Sequence, residues 1–368
     1  MPTRRTSTPP DHMSRALALA RQAVGSVSPN PPVGAVLVKD GAVVGEGFTQ
    51  PPGGDHAEIV ALKQAGKAAR GAELYVTLEP CAHFGRTPPC TEAIIRSGVA
   101  RVHIAALDPA PHTGGRGVWV LEHAGISVTV REGTPEARSL IESFAKHVTT
   151  GIPFVTVKFA MSLDGKIATR SGDSRWITGS PARAAAHGLR AGVDAVLVGI
   201  GTALADDPQL TVRDAPVPAR GQPLRVVVDS RLRLPPTAAM LAAEGHTLVA
   251  TATDDSTRRA GLEAAGAEVL AVPGRDGRVD LPALLRALGQ REVTAVLAEG
   301  GAGLLGTLFD AQTVDKVVAF VAPAIIGGAQ ALSPVAGHGA GVMPDVLRLV
   351  RVSHQGVGDD VMITGYTR

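Results

Sequence analysis

His56 and Glu58 stand two positions apart in His-Ala-Glu, and Glu79-Pro80-Cys81 is followed by Cys90 after eight residues. Those are the only two cysteines in a chain of 368 residues. Imidazole nitrogen and thiolate sulfur are ligands that zinc prefers, so His56, Cys81 and Cys90 supply three of them. A catalytic zinc leaves its fourth position to water and lowers that water's pKa to about 7. Glu58, two residues past His56, is close enough to carry a proton without taking a metal site. Two other readings use the same residues. A structural zinc wants a fourth protein ligand, which His83 could supply. A pair of buried thiols would need no metal at all.

These residues need rigid elements to hold them. The spacing predicts a helix over "DHMSRALALARQAVG" with Asp11 as its cap, and a hairpin turning at Asp40-Gly41. A second helix, "HAEIVALKQAG", starts at His56 and is closed by Gly66. "AELYVTLEP" reads as a buried strand leading to Cys81, "CTEAIIRSG" as a helix opening at Cys90, and "VARVHIAALD" as another strand. A helix start favours a thiolate through its dipole and free N–H groups. "SFAKHVTTGIPF" reads as a linker, with Gly151 and Pro153 breaking any helix. The expected domains are therefore 1–148 and 149–368.

The alternation restarts at about residue 152 with the strand "PFVTVKFAMSLDG". A helix "SPARAAAHGLRAGVD" is expected to be capped by Ser180, with Pro181 at its first position. "AVLVGIGTAL", "PLRVVVDSRLR", "HTLVATA", "AEVLAVP" and "VTAVLAEGG" read as strands, "LPALLRALG" as a helix, and "VDKVVAFVAPAIIGG" as a late strand pair. The run Gly301-Ala302-Gly303-Leu304-Leu305-Gly306 follows a strand and opens a helix, a setting in which backbone N–H groups approach a phosphate. It lies late in its domain, and Asp315 precedes the next strand rather than closing it, so a Rossmann fold does not fit.

His-x-Glu followed by Pro-Cys…Cys resembles the signature of the cytidine-deaminase-like superfamily. The departure is the spacing: eight residues separate the cysteines where the usual form has two. That long form, with "PNPPVG" at 29–34, resembles the deaminase half of the bacterial riboflavin-biosynthesis family that fuses a pyrimidine deaminase to a reductase. "VKFAMSLDGKIA", "GDSRWITG", "GIGTALADDPQLTVR" and "AEGGAGLLG" resemble its reductase half in the same order, so the likeness covers nearly the whole chain. The resemblance implies a cytidine-deaminase-like α/β/α domain followed by a dihydrofolate-reductase-like α/β domain. Zn2+ would serve the first and NADPH the second. The substrates would be phosphoribosylated pyrimidines: the first loses its 2-amino group as ammonia, and the product has its ribose reduced to a ribityl chain. Glu58 would be the catalytic proton carrier, and Asn30, His83 and Thr87 would line the deaminase pocket. In the reductase, Ala160, Trp176, Thr202, Asp206, Ser230 and the loop Gly301, Ala302, Gly303, Leu304, Leu305, Gly306, Thr307 would hold NADPH. Ser174, Arg190, Leu210, Arg213 and Glu299 would hold the substrate, with Lys158 at the sugar oxygens.

Some of this has independent physical support. Arg190 and Arg213 carry fixed charges in a fork suited to a phosphate. Thr202 and Ser230 fall at expected strand ends, where open α/β sheets collect ligands. Arg231 and Arg233 could meet a 2′-phosphate, although charge pattern alone does not rank NADPH over NADH. Lys158 could instead be a snorkelling surface lysine, Trp176 plain core, and "ADDP" a turn.

Bulk composition narrows the class. The chain is 45% hydrophobic and 19% charged, which is globular α/β composition. Aromatics make up 3% and the net charge is +2, so neither stacking rings nor a basic surface asks for a nucleic acid. "MPTRRTSTPPD" has no apolar run behind it, so no signal peptide is expected, and residues 1–10 read as a frayed tail. No apolar stretch reaches the length of a membrane span. The expectation is a cytoplasmic enzyme, a homodimer by family resemblance, with no nucleic-acid or membrane partner. The rivals are a nucleic-acid (tRNA-type) zinc deaminase with an accessory nucleotide-binding domain, and a zinc-stabilised binding protein without turnover.

Overall fold

The computed structural model describes residues 11–111, 113–130 and 135–367; the tail expected at 1–10 lies outside them. The chain divides into two compact units, Met1–Thr150 and Gly151–Arg368.

In the first unit the strands are β1 (Gly34–Lys39), β2 (Ala42–Phe48), β3 (Glu73–Val76), β4 (Arg101–Ile104) and β5 (Ser127–Val130). The helices are α1 (His12–Ala23), α2 (Ala57–Ala65), α3 (Cys90–Ser97), α4 (Arg116–His123), α5 (Pro135–Leu140) and α6 (Glu142–Thr150). The sheet order is β2-β1-β3-β4-β5; β1 is antiparallel to β2 and β3, and β3, β4 and β5 run parallel. Asp11 caps α1 by accepting from the Met13 N–H at 3.2 Å. Asp40 and Gly41, with φ of 51° and 79°, make the hairpin turn.

Glycines set the layering. A Cβ on Gly34 would stand 1.9 Å from the Ala16 carbonyl oxygen, so α1 lies directly on that face of β1. Gly47 is paired with Ala35, the next residue along β1, and so points to the opposite face. There a Cβ would stand 2.8 Å from the Ala57 carbonyl oxygen, and one on Gly45 would stand 2.3 Å from that of Ala61. Helices α1 and α2 thus cover opposite faces, which gives the α/β/α layering.

In the second unit the strands are β6 (Phe154–Ser162), β7 (Ala195–Gly199), β8 (Leu224–Val228), β9 (Thr247–Thr251), β10 (Ala267–Ala271), β11 (Ala295–Glu299), β12 (Lys316–Ala322), β13 (Val350–Val357) and β14 (Asp360–Tyr366). The helices are α7 (Ser180–Ala191), α8 (Ile200–Asp206), α9 (Ala239–Ala242), α10 (Ser256–Ala264), α11 (Leu281–Gln290) and α12 (Ala302–Asp310). One sheet runs β10-β9-β8-β7-β11-β6-β12-β14-β13, parallel from β10 to β12 and antiparallel at the β14 and β13 end. Alternate strand residues feed two cores. Val157, Leu197 and Val226 meet Leu284, Leu288 and Leu308 on one face. Val196, Val198 and Val227 meet Met240 and Leu262 on the other.

Several expectations shift. The segment read as a linker is helix α6, which runs to Thr150 and stops at Gly151, where φ is 71°. "AVLVGIGTAL" is a strand only to Gly199; the rest is α8, so Thr202 sits on a helix rather than at a strand end. Gly179, not Ser180, is the N-cap of α7, and its N–H donates to Asp360 Oδ2 at 2.8 Å. The expected late strand pair is the single strand β12, whose partners are β6 and β14. Helices α4 and α5 and strands β5, β13 and β14 were not expected. No helix among the described residues is long and apolar enough to cross a membrane.

The α1–β1 contact leaves no room for a methyl group. Gly34→Ala should lower stability by about 3 kcal/mol, typical of overpacking against backbone. Denaturant unfolding of the variant, followed by far-UV circular dichroism, checks this.

Candidate functional site

In the first unit, three elements converge as the spacing requires. His56 is the N-cap of α2, Cys90 is the first residue of α3, and Cys81 lies in the loop after β3. His56 Nδ1 is 3.6 Å from Cys81 Sγ and 3.3 Å from Cys90 Sγ. All three ligand atoms lie within 4.8 Å of one another. Tetrahedral zinc, with bonds of about 2.0 Å to nitrogen and about 2.3 Å to sulfur, sets its nitrogen and sulfur ligands about 3.5 Å apart, so the donor set fits the ion. Among the described residues no fourth His, Cys, Asp or Glu joins the group, and His83 is exposed in the inserted loop. Three protein ligands are the pattern of a catalytic zinc rather than a structural one.

The surrounding groups orient these ligands. Thr87 Oγ1 lies 3.3 Å from His56 Nε2, which leaves Nδ1 to face the sulfurs. The Cys90 N–H donates to Cys81 Sγ at 3.3 Å. The two sulfurs compete for one proton. Hydrogen bonding from Cys90, and then from His56, drives the Cys81 thiol down to about 4, while Cys81 and burial push Cys90 up. The bond to Cys81 also raises His56. Glu58 is buried at 4% exposure on the first turn of α2. Burial pushes its carboxyl up to about 7, with Cys81 adding to the shift and His56 opposing it. A carboxyl that titrates near neutrality can both take and give a proton.

One residue here escaped the sequence reading. Glu79 is buried, and its carboxylate accepts from the N–H groups of Asp108, Gly115, Gly117 and Val118 at 3.0, 2.9, 2.7 and 3.2 Å. It ties the loop after β4 and the start of α4 to the segment that carries Cys81. A Cβ on Gly117 would stand 2.1 Å from the Pro80 carbonyl oxygen, so that contact is also close. The only hint in the sequence is an acid placed directly before Pro-Cys. Asn30 is half-buried, and its N–H donates to the Val27 carbonyl in a turn.

In the second unit a charged cluster stands on the carboxyl edge of the sheet. Glu299, the last residue of β11, is paired across the ladder with Lys158 of β6. Arg190 on α7 grips its carboxylate with two bonds, Nε to Oε1 at 2.5 Å and NH2 to Oε2 at 3.1 Å, and spends NH1 on the Thr211 carbonyl at 3.0 Å. Lys158 Nζ is 3.6 Å from Oε2. Burial pushes Glu299 up, but Arg190 and Lys158 outweigh it and hold the carboxyl at about 2. The Arg190 fork, expected at the substrate phosphate, is bonded here to Glu299 and the Thr211 carbonyl. Lys158 is inside this cluster, so it is not a surface lysine.

Other expected residues fall on both sides of the line between surface and core. Trp176 is 70% exposed with the Arg183 guanidinium 4.6 Å from its ring, which rules out a core role. Arg213 is exposed and bonds only Gln209 through its guanidinium among the described contacts. Leu210 is buried in a hydrophobic cluster, so its backbone alone can reach a ligand. Ser174 and Ala160 are half-buried. Asp206 ends α8, and its carbonyl accepts from Arg175 at 2.7 Å. Ser230 Oγ accepts from the Val279 N–H at 3.1 Å.

The glycine run also divides. Gly300 and Gly301 have φ of 90° and 84°, and Gly301 is the N-cap of α12. The N–H groups of the first helical turn have no helical partner, and a Cβ on Gly303 would meet nothing within 4 Å. That open cradle at a helix start fits a dinucleotide pyrophosphate. The Leu305 N–H already bonds the Gly301 carbonyl, and the Leu305 side chain is core. A Cβ on Gly306 would stand 2.2 Å from the Ala336 carbonyl oxygen, so this glycine serves packing. Thr307 Oγ1 bonds back to the Gly303 carbonyl. The part of the run open to a phosphate is therefore Gly301 to Leu304, and Leu305, Gly306 and Thr307 face elsewhere.

Two measurements test this geometry. Purified protein should carry about one zinc per chain, and Cys90→Ser should lose it in elemental analysis, since two remaining protein ligands hold the ion poorly. Glu299→Gln should cost about 3–5 kcal/mol near pH 7, because it leaves Arg190 without its counter-charge. The carboxylate of Glu299 contributes stability above its ordinary range near 4.5 and loses it as pH falls toward about 2. The stability gap between wild type and variant should therefore narrow across that window in urea unfolding at successive pH values.

Comparison with known proteins covers both units. The cytidine and deoxycytidylate deaminase zinc-binding region matches residues 7–106, and the RibD C-terminal domain matches residues 153–363. The riboflavin biosynthesis protein RibD of Aquifex aeolicus is 41% identical over 353 residues, 96% of this chain and 97% of that protein. The Escherichia coli protein of the same name is 42% identical over 326 residues, covering 86% of this chain and 88% of its own. The structure of Acinetobacter baumannii RibD superimposes with a TM-score of 0.85 at 38% identity, over 96% of this chain and 97% of that one. A Thermotoga maritima diaminohydroxyphosphoribosylaminopyrimidine deaminase/5-amino-6-(5-phosphoribosylamino)uracil reductase gives 0.83 at 37% identity over the same shares. With the zinc-ligand triad in one unit, the charged strand edge in the other, and a likeness that runs through both, this chain belongs to the RibD family of riboflavin biosynthesis proteins.

Proposed function

We propose that this chain catalyses two consecutive steps of riboflavin biosynthesis. Residues 1–148 deaminate 2,5-diamino-6-(5-phosphoribosylamino)pyrimidin-4(3H)-one. Residues 149–368 then reduce the ribosyl chain of 5-amino-6-(5-phosphoribosylamino)uracil to ribityl. The carrying observation is the three-ligand cluster of His56, Cys81 and Cys90 with a buried Glu58 beside it. The activity named for the Thermotoga maritima relative supports the choice of substrates.

His56, Cys81 and Cys90 would hold zinc, which when bound would supply a water acidic enough to react at neutral pH. Glu58, buried beside the ligands, would carry the proton to the departing amine. Burial raises its carboxyl to about 7, a range in which it can both accept and release a proton. Asn30, His83 and Thr87 line the pocket, with Thr87 also fixing the His56 ring. In the reductase, NADPH when bound would supply the hydride for C1′ of the sugar. Ala160, Trp176, Thr202, Asp206, Ser230 and the first turn of α12 hold the dinucleotide. Ser174, Arg213 and the backbone at Leu210 take the substrate, with Lys158 and Glu299 at the sugar. Arg190 acts through Glu299 by holding it ionised and in place. The same reading makes the protein a cytoplasmic homodimer without a nucleic-acid partner.

Glu58→Gln removes the proton carrier and no metal ligand. It should keep its zinc and its unfolding midpoint but release ammonia at least about 100-fold more slowly. It should still oxidise NADPH when given the deaminated substrate. Normal ammonia release by this variant would remove Glu58 from the mechanism, and failure of the wild type to release ammonia would remove the deaminase reading itself.

A further inference from the structure

The carboxyl edge of the second sheet brings the ends of β8, β7 and β11 to one level, with Lys158 of β6 beside Glu299. Val228 is in register with Gly199, and Leu197 with Ala298, so the residue after each strand opens at the same height. The phosphate cradle at Gly301 to Leu304 follows β11. The Lys158–Glu299 cluster lies on the β6 side of it. A dinucleotide with its reacting end toward β6 and its pyrophosphate on the cradle has only the β7 and β8 side left for its adenosine. Two strand spacings of about 4.8 Å separate β11 from β8.

At that end of β8 the chain builds a cationic corner. Asp229 is fully buried, and its carboxylate accepts from the N–H groups of Arg231 at 3.4 Å and Leu234 at 2.8 Å, and from that of Arg233. Leu232 and Leu234 are buried in the hydrophobic cluster beneath, and Leu232 has a φ of 51°. This alternation turns Arg231 and Arg233 outward. The two arginines are not equivalent. Arg233 Nε lies 3.9 Å from Asp229 Oδ1, so it has a counter-charge. The Arg231 guanidinium has no hydrogen bond or ion pair among the described residues, while its carbonyl accepts from Arg258 NH1 at 2.9 Å. Arg258 brings a second guanidinium to the corner, and Asp255 sits 3.4 Å from it. Ser230, beside Arg231, has its oxygen occupied by Val279 but keeps its hydroxyl proton to donate. A loop that presents one guanidinium without an acid partner and one hydroxyl donor suits a phosphate monoester.

We infer that Arg231 is the residue that selects NADPH over NADH, by binding the 2′-phosphate of the adenosine ribose together with the Ser230 hydroxyl. The inference rests on the reading of the second unit as a dinucleotide reductase. It separates Arg231 from Arg233, which charge pattern alone does not.

The test is binding, measured by isothermal titration calorimetry on the full-length protein. The probes are NADP+, NAD+, adenosine 2′,5′-bisphosphate and adenosine 5′-monophosphate; each pair differs by the 2′-phosphate alone. Wild type should prefer the 2′-phosphorylated member of each pair. Arg231→Ala should weaken NADP+ and the bisphosphate about tenfold or more, the scale of a lost charge-assisted hydrogen bond. It should leave NAD+ and the monophosphate within about twofold, with an unchanged unfolding midpoint. Arg231→Lys should restore part of the preference, since a point charge replaces the fork. Arg233→Ala should change the ratio less than Arg231→Ala does. Equal weakening of both members by Arg231→Ala, no weakening, or a larger effect at Arg233 would each overturn the assignment to Arg231. A wild type that binds the two members of each pair equally would also overturn it. A wild type that binds neither dinucleotide would overturn the reductase reading itself.

Discussion

A carboxylate shut away from water must have its charge answered by protein, and Glu299 has an answer from both sides. Arg190 reaches it from α7 across 109 positions of sequence, and Lys158 lies opposite it on the neighbouring strand. Because both partners are themselves half-buried, removing Glu299 leaves two cations without an answer in a poorly solvated place, and removing Arg190 takes away the two-bond grip on the carboxylate. That mutual dependence fixes α7 against the carboxyl edge of the sheet. It also fixes what lies near: NH1 of Arg190 holds the Thr211 carbonyl, and His187, one turn back on α7, accepts from the Arg213 N–H at 3.1 Å. The ion cluster thus sets the loop that presents Arg213 as well as the charge at the centre.

Buried acids organise the other segments in the same way, with backbone N–H groups in place of cations. Glu79 gathers four of them around the segment that carries Cys81. Asp229 gathers three at the end of β8. Each makes an irregular loop as determinate as a helix, since breaking the loop would strand a charge as well as several donors.

What could be read from the sequence was what is local. The cap at Asp11, the turn at Asp40-Gly41 and the helix at Gly301 depend on residues a few positions apart, and the zinc ligands, though His56 stands 25 and 34 positions from the cysteines, each lie in a short recognisable motif. Helix α6 was missed because Gly151 and Pro153 were weighed more heavily than the helical run before them. Strands β13 and β14 have no continuous buried face to mark them: β13 is exposed along nearly its whole length, and β14 is fully buried only at its ends. The pairing of Arg190 with Glu299 and the role of Glu79 were out of reach for a different reason. Nothing in sequence spacing says which donor a distant carboxylate will meet, so Arg190 looked like a free fork. Leu305 and Gly306 belonged to a recognisable phosphate motif, yet helical geometry turns them to the core and to the Ala336 backbone.

The eight-residue insert between the cysteines has a consequence for chain entropy. Joining two ligands through a longer loop costs more to close, about 0.6 kcal/mol for each doubling of length. Here hydrogen bonds also join the ends of the loop. The Thr91 N–H and hydroxyl both bond the Cys81 carbonyl, at 3.2 and 3.3 Å, and the Cys90 N–H bonds Cys81 Sγ. Folding therefore shares the cost of closure with the metal ligands. The ends of the insert are pinned by these bonds and Thr87 within it by the His56 ring, so lengthening it elsewhere would weigh on chain entropy before it disturbed the ligands.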